Sequence, residues 1–205
     1  TLAQIFSECV DEPQAQAVLV TGGAGMGKSR LTQEFLARLR QGGAPVEIWL
    51  GRGDSLRAGS PFGHLGQALR GACGIRGTES LPEFRSKLLS HVARRVAASE
   101  CQRVAELLGE LLGMPFPDED SALLRAARHN PQLMSDELRR AWLDFLRAET
   151  ATQPLVIVLE DLHWSDSATV RFIDAALREV SDRPWMVLAL ARPEVHELFP
   201  KLWAE

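Results

Sequence analysis

Between Val18 and Arg30 the chain reads VLVTGGAGMGKSR, and no other stretch restricts its folding choices so tightly. An apolar run reaches Thr21, four glycines follow within six positions, and a lysine–serine pair comes next. So much glycine costs backbone entropy, which makes sense where the chain must turn sharply or lie close to a ligand. Gly22, Gly27, Lys28 and Ser29 fit the pattern G-x-x-x-x-G-K-[ST], with a strand expected ahead and a helix behind. In that setting amide N–H groups converge on phosphate oxygens, and the positive end of the helix adds to the attraction. Lys28 is expected to reach the β- and γ-phosphates as a point charge, and the Ser29 hydroxyl to join a Mg2+ shell. Gly23, Ala24, Gly25, Met26 and Arg30 complete the candidate nucleotide loop. A dinucleotide-binding turn, G-x-G-x-x-G, begins at Gly23 and Gly25 but meets Lys28 at its sixth position, so that pattern fails.

The flanking sequence supplies a sheet. Leu2, Ile5, Phe6 and Cys9 keep helical spacing over residues 2–10. Ala17–Thr21 reads as a strand buried on both faces of a parallel sheet. Leu31, Phe35 and Leu39 mark the helix after the loop, Gly42 and Gly43 end it, and Val46–Leu50 is a second strand. After Pro61 the texture turns helical. Ser80 and Glu83 make a capping box ahead of Phe84, Leu88, Val92 and Val96. A second apolar stripe runs Val104, Leu107, Leu108, Leu111 and Leu112, and a third from Leu138 to Leu146 is opened by Ser135 or Asp136. Strand sequence returns at Leu155–Leu159, a helix carries Val170, Ile173, Leu177 and Val180, and Trp185–Leu190 is a last strand. The expected architecture is α/β: a parallel sheet of about four strands flanked by helices, with a helical insertion over about 62–150 and one core spanning 1–205.

A phosphate cradle needs a metal site on a neighbouring strand, and LVIVLEDLHWSD offers Glu160 and Asp161 at a strand's carboxyl end. One carboxylate is expected to hold Mg2+, directly or through water, and the other to polarise an attacking water; the assignment between them stays open. Two acids in tandem suit a hydrolysing ATPase better than a simple GTPase, and no N-K-x-D guanine signature occurs. Net charge is −4 with no long basic run, so nucleic acid is not the default partner of this segment. The longest apolar run, Trp185 to Ala191, is far too short to span a bilayer. Cys9, Cys73 and Cys101 are scattered without a CxxC pair, as reduced thiols of a cytoplasmic protein would be. RGDS at Arg52–Ser55 reads as coincidence, and His64, His91, His129 and His196 share no metal-ligand spacing. His163, beside the acids, reads as an assistant to them or as a cap or packing residue, and Trp164 as core or wall.

In order, TGGAGMGKSRL, GSPFGHLGQALR, LVIVLEDLHWSDSATVRFI and VLALARPE resemble the ATPase module of the signal-transduction ATPases with numerous domains. Such modules occur in large LuxR-type transcription regulators and in bacterial Ser/Thr kinases or nucleotide cyclases fused to an ATPase. The resemblance covers nearly the whole chain. It implies a cytoplasmic P-loop NTPase of AAA type that binds ATP and Mg2+ through Walker A and Walker B motifs. It also implies ATP/ADP as ligands, helical and output domains of the same longer chain as partners, and self-association as an open option. A polar γ-phosphate sensor at the end of the strand after Walker B falls on Arg192, a catalytic candidate with Glu160 and Asp161. The family's first Walker B acid is often Asp, where this chain has Glu160, and the Gly-Arg-Glu segment that commonly precedes the first helix is absent. The family's sheet has five strands, with the P-loop strand between the sensor strand and the fifth. Four strands here are therefore expected in the order 2-3-4-1, leaving the P-loop strand at an edge. Three readings follow: a slowly hydrolysing switch, a nucleotide-holding scaffold without turnover, or a small-molecule P-loop kinase, for which no lid arginine is evident. The start at Thr1 and end at Glu205 suggest a piece of a longer chain.

Overall fold

The computed structural model describes residues 1–55, 61–200, 202 and 203, so Gly59 and Ser60 of the GSPF stretch lie outside the described residues. The strands β1 (Gln16–Thr21), β2 (Glu47–Arg52), β3 (Leu155–Glu160) and β4 (Trp185–Ala191) form one parallel sheet in the order β1-β4-β3-β2. Counted from β2 this is 2-3-4-1, with the P-loop strand at an edge. The two central strands are buried at every position, which is why they read as unbroken apolar runs. The expectation that Ala17–Thr21 is buried on both faces is corrected: β1 is an edge strand, with Ala17 and Thr21 exposed and its other residues half-buried. β2 runs two residues past the expected Leu50 because its ladder with β3 takes in Gly51 opposite Leu159 and Arg52 opposite Glu160.

The chain divides into two compact units, one made of Thr1–Leu69 with Thr150–Glu205 and one of Arg70–Glu149. The first unit carries the sheet. Its helix α1 (Leu2–Asp11) is opened by the Thr1 hydroxyl, which accepts the Gln4 N–H at 3.3 Å, and it packs against β1, β4 and α2 (Lys28–Gln41). Phe6 and Phe35 meet edge-on at 6.4 Å over Val156, Val158, Met186, Leu188 and Leu190. Burying each such side chain stabilises by about 1.5–3 kcal/mol. The chain continues through α3 (Gly63–Ala72), which runs from the first unit into the second.

The second unit is helical: α4 (Leu81–Ala93), α5 (Ala98–Leu111), α6 (Ala122–His129) and nearly all of α7 (Pro131–Thr150). The capping box is present, with the Glu83 carboxylate accepting from the Ser80 N–H at 2.8 Å and hydroxyl at 2.7 Å. Phe84, Leu88, Val92, Val104, Leu107 and Leu108 are buried, as their stripes require. The opening of the third stripe at Ser135 or Asp136 is corrected: α7 begins at Pro131. Asn130 caps it, its side-chain oxygen accepting the N–H groups of Gln132 at 3.1 Å and Leu133 at 3.2 Å, and Pro131 is preset for a first helical position. The buried Glu149 carboxylate accepts from His91 Nε2 at 2.7 Å and Arg95 Nε at 3.1 Å. The first unit resumes in β3, α8 (Ser167–Glu179), β4 and a last turn, α9 (Val195–Leu198). Cys9, Cys73 and Cys101 are buried thiols outside any disulfide.

Candidate functional site

The glycine loop leaves the sheet beside the end of β4: Thr21 pairs with Ala191, and the Gly22 N–H donates to the Ala191 carbonyl at 3.1 Å. Gly25 (φ +76°) and Gly27 (φ +85°) occupy the left-handed region, where a side chain would cost about 1–2 kcal/mol. Gly27 immediately precedes α2, so the helix's first N–H groups, which have no earlier turn to pair with, open toward the loop. The Lys28 ammonium folds back and donates to the carbonyls of Gly22 at 2.6 Å and Gly23 at 2.8 Å. Met26 stands 74% exposed at the loop, its sulfur 3.1 Å from the Gly23 N–H. Ala24 and Ser29 are exposed. The Arg30 side chain is set apart, paired along α2 with Glu34 at 3.3 Å.

The acids lie at the same end of the sheet. Glu160 is buried, and Arg52 reaches its Oε2 with Nε at 2.8 Å and Nη2 at 2.5 Å. The Glu160 carbonyl accepts from the Gly53 N–H at 2.8 Å and from His64 Nε2 at 2.9 Å. Burial pushes the His64 pKa down, against the pull of the Glu160 carbonyl and the charges of Asp166 and Asp161. Asp161 holds φ 56° and ψ 45°, a left-handed step that turns the chain out of β3 into a single 3-10 turn over Leu162–Trp164. Asp166 then caps α8, accepting from the Thr169 N–H at 2.8 Å and hydroxyl at 2.7 Å.

Arg192 follows β4 directly. Its backbone N–H donates to His163 Nδ1 at 3.3 Å, and its guanidinium lies 5.7 Å from the centre of the Trp164 ring. Burial lowers the pKa of His163, and the charges of Asp161, Arg192, Glu194 and Lys28 all act on it. Of the candidate residues, Arg192 is the one that touches His163, through its backbone N–H. Sequence alone does not mark Arg52 or His64 as site residues. The available signal was position: Arg52 ends the strand that pairs with the one carrying Glu160.

With this sheet order and a lysine-bearing glycine loop between β1 and α2, residues 1–188 match the family described as AAA ATPase domain. The chain belongs to that family. AAA ATPase domains generally bind ATP with Mg2+. The oxygen donors here, the Ser29 hydroxyl and the Glu160 and Asp161 carboxylates, are the kind Mg2+ prefers. Among the described residues of this AAA ATPase domain, no three or more His, Cys, Asp or Glu side chains are grouped to hold a metal by themselves. No helix among those residues is long and apolar enough to cross a membrane. An uncharacterized protein of Rhizobium meliloti (strain 1021) is 26% identical over 182 residues, which is 88% of this chain and 16% of that protein's length.

Proposed function

We propose that this AAA ATPase domain is a signalling switch: it binds ATP with Mg2+, hydrolyses it slowly, and passes its nucleotide state to attached output domains. The reading is carried by one observation: the lysine-bearing loop leaves β1 beside the end of β4, where Arg192 follows, and β4 pairs with the strand that ends in Glu160. Loop residues Gly22 to Ser29, with the Arg30 amide, cradle the phosphates. Lys28 exchanges the neutral Gly22 and Gly23 carbonyls for anionic β- and γ-phosphate oxygens, so that both partners of the bond are charged. Ser29, Glu160 and Asp161 would hold Mg2+, which would supply charge against that developing on the phosphates. Asp161, outside the Arg52 pair, is better placed than Glu160 to polarise water. Arg192 touches the γ-phosphate and so tells ATP from ADP.

Nucleotide can shift attached domains only by as much as its affinity differs between their arrangements. The segment matching the Rhizobium meliloti protein is a small part of that chain, which suits a module within a larger assembly. A bacterial, cytoplasmic transcription regulator of LuxR type is the setting we favour, with self-association as a further contact. Single-turnover ATP hydrolysis with and without Mg2+ tests the reading: Mg2+-dependent release of phosphate supports it. ATP held intact would favour the scaffold reading, for which the Arg52–Glu160 ion pair speaks.

A further inference from the structure

We propose that His163 and Trp164 are positioning residues for Arg192, fixing its guanidinium where it distinguishes ATP from ADP; the inference rests on the reading of Arg192 as the γ-phosphate sensor. The two neighbours grip Arg192 at both ends. His163 Nδ1 accepts the Arg192 backbone N–H at 3.3 Å, which puts the ring proton on Nε2. Trp164 lies under the other end, its ring centre 5.7 Å from the guanidinium carbon, within cation–π range. The two rings lean on each other at a tilt, their centres 4.7 Å apart and their planes 46° apart.

A packing residue would not need this chemistry. His163 is buried, and its Nε2 has no partner among the described residues, a cost that a leucine of similar size would avoid. The Nδ1 acceptor gives a reason to bear it. Arginine has many rotamers to lose when it grips a phosphate, and a preformed platform removes part of that loss in advance. Ala191, just before Arg192, pairs with Thr21, just before the loop, so a fixed arginine is fixed relative to the phosphates.

Calorimetric ATP and ADP affinities of the whole chain and its variants test the inference. His163→Leu and Trp164→Leu should lower the ATP/ADP affinity ratio by roughly three- to tenfold while ADP binding changes little. His163→Asn, which places an acceptor oxygen near the Nδ1 position, and Trp164→Phe, which keeps a ring face, should recover most of the ratio. Trp164→Leu added to Arg192→Ala should lower it no further than Arg192→Ala alone. If either leucine variant does not fold, His163→Gln or Trp164→Met takes its place. Leucine variants with a wild-type ratio, beside a lowered one for Arg192→Ala, overturn the positioning role and leave the sensor standing. An unchanged ratio in Arg192→Ala removes the sensor, and the positioning role with it.

Discussion

Arg52 at the end of β2 and Glu160 at the end of β3 stand opposite each other in register, and both contacting arms of the arginine end on one carboxylate oxygen. The arginine side chain is 59% exposed while the glutamate is 8% exposed, so the buried partner depends on the pair. Arg52→Ala should strand that carboxylate at a cost of about 1–3 kcal/mol, seen as a fall in Tm of several degrees. Mg2+ should restore more of the loss in the variant than it adds to the wild type. Equal Tm and equal Mg2+ response would mean that the pair contributes nothing.

Lys28→Ala should leave circular dichroism unchanged, because its bonds to two loop carbonyls support no core element. ATP affinity should fall by about 2–4 kcal/mol, the worth of a well-placed charged contact. Unaltered affinity by calorimetry in a folded variant would remove the phosphate cradle.

Glu160→Gln and Asp161→Asn should keep nucleotide better than Lys28→Ala and lose Mg2+-dependent turnover. At Asp161 the carboxylate and the backbone can be separated, because its φ of 56° is one that few residues adopt willingly. Asp161→Ala should be less stable than Asp161→Gly by about 1 kcal/mol in denaturant titrations, with both inactive. An active Asp161→Gly would take the side chain out of the chemistry.

Gly53 is packed without room for a side chain: a Cβ there would lie 2.6 Å from the Asp161 carbonyl oxygen and 2.9 Å from His64 Nε2. Gly53→Ala should destabilise by about 1–3 kcal/mol and slow turnover by displacing the Asp161 turn. A lowered denaturant midpoint with turnover unchanged would detach that turn from the active geometry.

Legibility in the sequence followed range. β3 and β4 were readable because burial on both faces leaves only apolar residues, and the phosphate loop because its glycines and lysine sit within a few residues of each other. The sheet order came from the family resemblance, since nothing local says which strands pair. The start of α7 was misread because Ser135 and Asp136 are good caps in isolation, whereas Asn130 with Pro131 caps at two amides. The eight-residue α6 was too short for its periodicity to stand out. Arg52 looked like part of a chance tripeptide, because its partner lies 108 residues away. His163 left its role open for a similar reason: the amide that it accepts from belongs to a different strand end.

β1 shares its ladder with β4 alone among the described strands, whereas β3 and β4 are each held from two sides. Detaching β1 breaks one row of hydrogen bonds, and detaching either central strand breaks two. Amide hydrogen exchange should therefore find β1 opening at a lower free energy than its neighbours. Phosphate held at Lys28, as proposed, would tie the far end of that strand to α2, so nucleotide should slow exchange along β1 before anywhere else in the sheet. A protein arranged in this way would turn occupancy of its loop into stiffness of a single strand.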